Sequence, residues 1–188
     1  MRFPLFAALV AALAPVAAHA QDAADHPFKN AKAGDYANYT MTTKVGTFDA
    51  KGTITNTVKA VSATEVTLEV TGTMRGMPIP TQTQKIDLTK AFDPASAGVG
   101  IQAAKTDAKI EKVAEGSEKI TVGGKSYETK WVKMRVTTKT LAGDVTMDMK
   151  TWVGKDIPLG LGKMEMTSQI GGMTMTMTME LTDSGNKK

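Results

Sequence analysis

The sequence predicts an all-β protein: a single curved antiparallel sheet or half-open β-barrel of about nine to ten strands, with room for one or two short helices. Three observations predict it. From Tyr36 onward, apolar and polar residues alternate with a period of two, which places them on opposite faces of a strand. Glycine pairs, Gly123-Gly124 and Gly171-Gly172, sit where hairpin tips belong. No segment keeps a helical period over three turns.

The chain opens on a leader rather than on structure. Met1-Arg2 is a short basic start, Phe3 to Val16 is apolar, and Ala18-His19-Ala20 fits a small-x-small cleavage site. Residues 1–20 thus form a signal peptide, and 21–188 a single β-rich domain in an exported, periplasmic or secreted protein. Pro4 and Pro15 interrupt the apolar run, which is too short for a comfortable membrane span. No transmembrane segment is expected after cleavage.

Gln21 to Asp35 is polar and loop-like. Tyr36 to Thr43 then carries Ala37, Tyr39 and Met41 on one face. Phe48 to Ala60 aligns Phe48, Ala50, Ile54 and Val58, and Val66, Leu68, Val70 and Met74 follow after the Ser62-Ala63-Thr64 turn. Pro78 and Pro80 demote Met77 to Pro80 to an edge, bend or loop. Thr81 to Leu88 resumes the alternation, and Asp87 to Gln102 is the least strand-like stretch, where Asp87 to Phe92 suits a short helical turn. Ile110 to Val122 and Ser126 to Thr140 flank Gly123-Gly124. Within the second strand the apolar parity changes, and a β-bulge near Trp131-Val132 would reconcile it. Val145, Met147, Met149, Thr151 and Val153 make the next strand, and Gly154 to Gly162 a loop. The chain closes on a hairpin in which Met164, Met166, Ser168 and Ile170 face Met173, Met175, Met177 and Met179.

Composition excludes several functions. Removing Arg2 leaves 22 of the 23 basic residues against 19 acidic ones, a net charge of +3. The only remaining arginines are Arg75 and Arg135, and the lysines are scattered. That pattern lacks the clustered basic patches and arginine forks of nucleic-acid recognition. With no cysteine, stability comes from packing and hydrogen bonding without disulfides. His26 is the only histidine after the leader, so a serine–histidine relay or a zinc centre lacks its parts. Gly124-Lys125-Ser126 imitates the end of a phosphate-binding loop, but Lys119 stands where the first glycine belongs. No catalytic residue, resident metal or cofactor is expected. An outer-membrane barrel is also a poor fit. Of the ten aromatics Phe3 and Phe6 belong to the leader, which leaves eight, too few for two aromatic girdles.

Methionine is the unusual ingredient, because β-branched residues suit strands better. Thioether side chains re-pack without leaving voids, so a methionine face suits an apolar ligand of variable shape. The candidate ligand-binding residues are Met147, Met149, Met164, Met166, Met173, Met175 and Met177, with Trp131 and Trp152 at the rim. A non-catalytic module with a filled methionine core is the first alternative. The second is Cu(I) held by thioethers. Oligomeric state has no signature in the sequence.

Trp152 ending a strand, then Asp156, Pro158 and Leu159 in a loop, then Lys163, Glu165 and Gly171-Gly172 in a hairpin, resembles the periplasmic lipoprotein-carrier superfamily. The matching segment covers about a fifth of the chain. Gly160 stands where a basic residue often follows the Pro-Leu pair, and no long helix precedes the first strands. The resemblance implies a half-open β-barrel around an apolar cavity, with lipid or a lipoprotein as partner.

Overall fold

A computed structural model describes residues 26–90, 92, 109–140, 143–170 and 172–187. The leader, its cleavage site, Gly171 and positions 93–102 of the irregular stretch lie outside the described residues. Ten strands follow one another: β1 (Asp35–Val45), β2 (Phe48–Val61), β3 (Glu65–Met74), β4 (Met77–Pro78), β5 (Gln82–Asp87), β6 (Lys109–Val122), β7 (Lys125–Thr140), β8 (Gly143–Val153), β9 (Leu161–Ile170) and β10 (Met173–Asn186). They form one antiparallel sheet in the order β4-β3-β2-β1-β10-β9-β8-β7-β6, with β5 also paired to β3. The sheet is open, and among the described residues there is no helix. Asp87 to Phe92 does not form the expected helical turn in its described part: β5 runs through Asp87, and a turn follows at 88–90. There the Asp87 side chain accepts from both the backbone N–H and the hydroxyl of Thr89.

The first three strands each bury one parity of their alternating sequence, as the period of two requires. β1 buries Ala37, Tyr39 and Met41, β2 buries Ala50, Ile54 and Val58, and β3 buries Val66, Leu68 and Val70. Because β1 pairs with β10, the first and last strands lie side by side in the middle of the sheet. The β6–β7 side of the sheet curls back toward its middle. The β6–β7 turn lies three strands away from β10 in the sheet, yet a Cβ placed on Gly123 would stand 2.8 Å from the Thr182 carbonyl oxygen. Gly123 and Gly124 both have positive φ, +57° and +73°, which a side chain would oppose in this tight tip.

The parity change in β7 has a different origin from the one the sequence suggests. β7 is continuous through Trp131 and Val132. The irregularities fall in its surroundings, in β6 between Lys112 and Ala114 and at the Trp152–Val153 step of the β8–β9 pairing. An extra residue in a neighbouring strand turns the local twist just as a bulge in β7 itself would.

The core is enclosed at one end by loops. Phe28, Phe92, Ile157 and Leu159 are all buried against the strand residues, and the rings of His26, Phe28 and Phe92 lie within 5.4 to 6.1 Å of one another. Tyr39, fully buried, donates its hydroxyl to the Leu161 carbonyl at 3.2 Å, and burial raises its pKa.

His26 Nδ1 accepts from the Phe28 N–H at 3.3 Å, and burial pulls its pKa below 6.5 despite the opposing charge of Asp87. A depressed histidine pKa means that the unfolded chain binds the proton first as pH falls. Its stabilisation is therefore complete above about pH 6.5 and is lost as pH drops through the folded value. Thermal denaturation should show a falling midpoint between about pH 7 and 5, and His26→Phe should flatten that segment. A slope unchanged by the substitution would exclude His26 as its source. The carboxylates held low by partners, Asp87, Glu118 and Asp148, act only at more acidic pH.

Candidate ligand-binding face

Register turns the methionine alternation into rows that cross the sheet. Met134 on β7 pairs with Met149 on β8, Met149 with Met166 on β9, and Met166 with Met177 on β10. One step along the strands, Met164 pairs with Met179 and Met179 with Met41. Directly paired side chains on one face of an antiparallel sheet are in contact range, so these thioethers form a continuous lattice. Met41 and Met134 belong to it although the hairpin at the end of the chain does not contain them.

Burial is graded along the strands. Met164 and Met179 are fully buried, and Met149, Met134 and Met166 nearly so. Met177, Met175 and Met147 are half-buried, and Met173 is 57% exposed. The next row, Ile110–Val136–Met147–Ser168–Met175–Val45–Phe48, spans seven strands, with Ile110 45% and Phe48 47% exposed at its ends. One end of the face is thus packed core, and the other a mainly apolar border exposed at its outer members, while Val136 and Ser168 within it stay buried. Thr151 sits inside the packed end between Val132 and Met164, fully buried, and its hydroxyl has no hydrogen-bond partner.

All seven candidate methionines lie on this face, but neither candidate tryptophan does. Trp152 is three residues from Met149 on one strand, hence on the opposite face, and it pairs with Trp131. Both belong to a polar cluster on the outer side. The Lys150 ammonium stands 4.2 Å from both ring centroids and 3.2 Å from Glu118, and the Trp152 indole N–H donates to the same carboxylate. These bonds, from Trp152 first and Lys150 second, hold Glu118 below the usual glutamate range. Lys163 lies 3.0 Å from both Glu165 and Glu180. Burial works against its charge, but the two carboxylates outweigh it and leave its pKa raised. On the same face Arg135 grips Asp148 through two hydrogen bonds of 2.8 and 3.2 Å. This ladder braces β6 to β10 from outside. The rim position expected for Trp131 and Trp152 is therefore replaced by a bracing one, and Phe48 and Ile110 occupy the apolar border instead.

Among the described residues, no group of three or more histidine, aspartate or glutamate side chains is placed to hold a metal ion. No helix among them is long and apolar enough to cross a membrane.

No protein-family model matches this chain, and no curated protein sequence does. Similar solved structures exist. A protein from Bacteroides fragilis, provisionally described as exported and having a YmcC-like fold, covers 82% of this chain and 97% of its own at 9% identity, with a TM-score of 0.50. A protein from Parabacteroides distasonis, provisionally described as a lipoprotein, covers 82% and 96% at 12% identity, with a TM-score of 0.53. A LolA superfamily protein from Nitrosomonas europaea covers 88% and 91% at 9% identity, with a TM-score of 0.23. The likeness in fold rests on the first two, and at 9% and 12% identity it extends to the fold alone.

Proposed function

We propose that this chain is an exported, non-enzymatic envelope protein that binds an apolar ligand, a lipid acyl chain or an acylated protein, at the open end of its methionine face. The observation that carries the reading is the graded lattice: thioethers in register across four strands, sealed at one end and half-exposed at the other. Met147, Met173, Met175 and Met177 would contact the ligand, while Met149, Met164 and Met166 form the pliable floor. A valine or isoleucine floor would pack a fixed core better, whereas methionine adapts to what lies on it. Each acyl methylene removed from water contributes roughly 0.8 kcal/mol, so a partly inserted chain offers useful affinity. Export is supported by the leader and by the descriptions of the two structures that share the fold.

Full burial of Met164 and Met179 favours a second reading, a filled core with no ligand. Native mass spectrometry of protein purified from its own envelope fraction separates the two. Lipid should co-purify, and Met175→Lys, at a half-buried position, should release it while the protein stays folded. A ligand-free spectrum, with no binding of added lipid, would leave the filled-core module. Stoichiometric uptake of Cu(I) instead would make the thioethers a metal site.

A further inference from the structure

At the opposite end of β8 and β9 from the open apolar border, a cleft of about 610 Å³ lies between three separate elements. The N-terminal turn contributes His26, Pro27, Lys29 and Asn30, the β6–β7 hairpin Ser117, Glu128, Thr129 and Lys130, and the β8–β9 loop Gly154 and Lys155. β9 spans ten residues, so about 30 Å separates this cleft from the tip that carries Met173. The methionine lattice and its proposed ligand do not account for it.

The walls of the cleft are fixed. The loop closes on itself through Gly154 N–H to Gly160 O at 2.9 Å and Gly160 N–H to Ile157 O at 2.8 Å. It packs so tightly on the N-terminal turn that a Cβ on Gly160 would stand 2.2 Å from Pro27 Cβ. His26 is buried in its ring cluster at the back. A concave site of a few hundred Å³ with convergent polar groups on rigid walls is the usual form of a small-ligand site.

Positive charge predominates: Lys29, Lys130 and Lys155 line the cleft with one carboxylate, Glu128. Lys29 and Lys155 come from different elements, and among the described residues neither has a carboxylate within ion-pair distance. The nearby acids are engaged: Glu128 with Lys119 at 3.1 Å, and Glu118 with Lys150 and Trp152. Asp156 adjoins Lys155 in sequence but does not line the cleft. Asn30 and Ser117 add neutral donors, while the Thr129 hydroxyl is committed to the Glu118 carbonyl at 2.7 Å. Two ammonium groups with amide and hydroxyl donors suit the several oxygens of a phosphoryl group better than any cation.

We infer that this cleft binds a small ligand through a phosphoryl group, gripped by Lys29 and Lys155 and oriented by Asn30 and Ser117. The phosphoryl group belongs either to a soluble phosphorylated compound or to a phospholipid headgroup. Amide NMR and calorimetry on the mature protein at pH 7, with inorganic phosphate and with short-chain phosphatidylglycerol below its micellar concentration, test this. Saturable shifts are expected at the Asn30, Gly154 and Lys155 amides. Binding of inorganic phosphate would assign a soluble compound; binding of the phospholipid alone would assign a headgroup. The double variant Lys29→Glu/Lys155→Glu should weaken binding by at least about tenfold, and Lys29→Gln/Lys155→Gln by less. Lys125→Glu, on the β6–β7 turn outside the cleft, should leave it unchanged. No saturable shift with either probe, or a folded double-glutamate variant that binds like the parent, would overturn the inference. Loss of apolar-ligand binding by Met175→Lys with phosphoryl binding retained would show that the two sites stand or fall separately.

Discussion

Met164→Ala is expected to lower the unfolding free energy by about 3 kcal/mol, measured by urea denaturation, within the range of fully buried methionine truncations. Met164 is completely buried on β9, paired with Met179 on β10 and with Thr151 on β8. Removing its thioether takes away contacts on both sides, and neither neighbour can fill the gap alone. Met175→Ala, one row into the half-exposed border, should cost less than about 1 kcal/mol because water already covers part of the side chain. The contrast between these positions, eleven residues apart on adjoining strands, tests whether the lattice has a sealed and an open end. Equal losses would mean that the face is one uniform core, and the open border would lose its meaning as a binding surface. A domain with ordinary stability tolerates about 3 kcal/mol, so both variants should be measurable as folded proteins.

The strands were legible in the sequence because burial on one face of a sheet writes a period of two. β2, β3, β8, β9 and β10 carry that signal almost without interruption. The hairpin partners were legible too, since short turns join them. Pairing of β1 with β10 was not: it joins residues as distant as Met41 and Met179, 138 positions apart, and no local pattern encodes it. For that reason Met41 and Met134 could not be added to the methionine face before their registers were known. The misplacement of Trp152 is different, because its parity was readable: it alternates with Thr151 and Val153 and is out of phase with Met149. Size suggested a ligand-facing rim, whereas its neighbours of like parity, Lys150 and Asp148, mark the charged face. The cleft had no sequence signature, since its lining comes from a turn, a hairpin and a loop with no shared period.

Gly160→Ala should cost about 3 kcal/mol or more in the same denaturation assay, well above an alanine at Gly76. Both glycines have φ of +79°, so both substitutions bear the same left-handed penalty of roughly 1–2 kcal/mol. Around Gly76 a Cβ meets nothing within 4 Å, whereas at Gly160 it would stand 2.2 Å from Pro27 Cβ and 2.8 Å from Pro27 Cγ. The difference between the two variants therefore isolates the contact between the β8–β9 loop and the N-terminal turn. Leu159, also at positive φ (+57°) and buried, leaves the loop little freedom to move aside. The turn must yield instead, taking His26 and Phe28 out of the ring cluster with Phe92. An NMR titration should then find the His26 pKa moved up toward 6.5, because the burial that depresses it is relieved. A long side chain at Gly160 would have to pass through Pro27. If Gly160→Ala and Gly76→Ala cost the same, and His26 titrates as in the parent, the loop and the turn are not locked together. The cleft between them would then lack the rigid wall that phosphoryl binding requires.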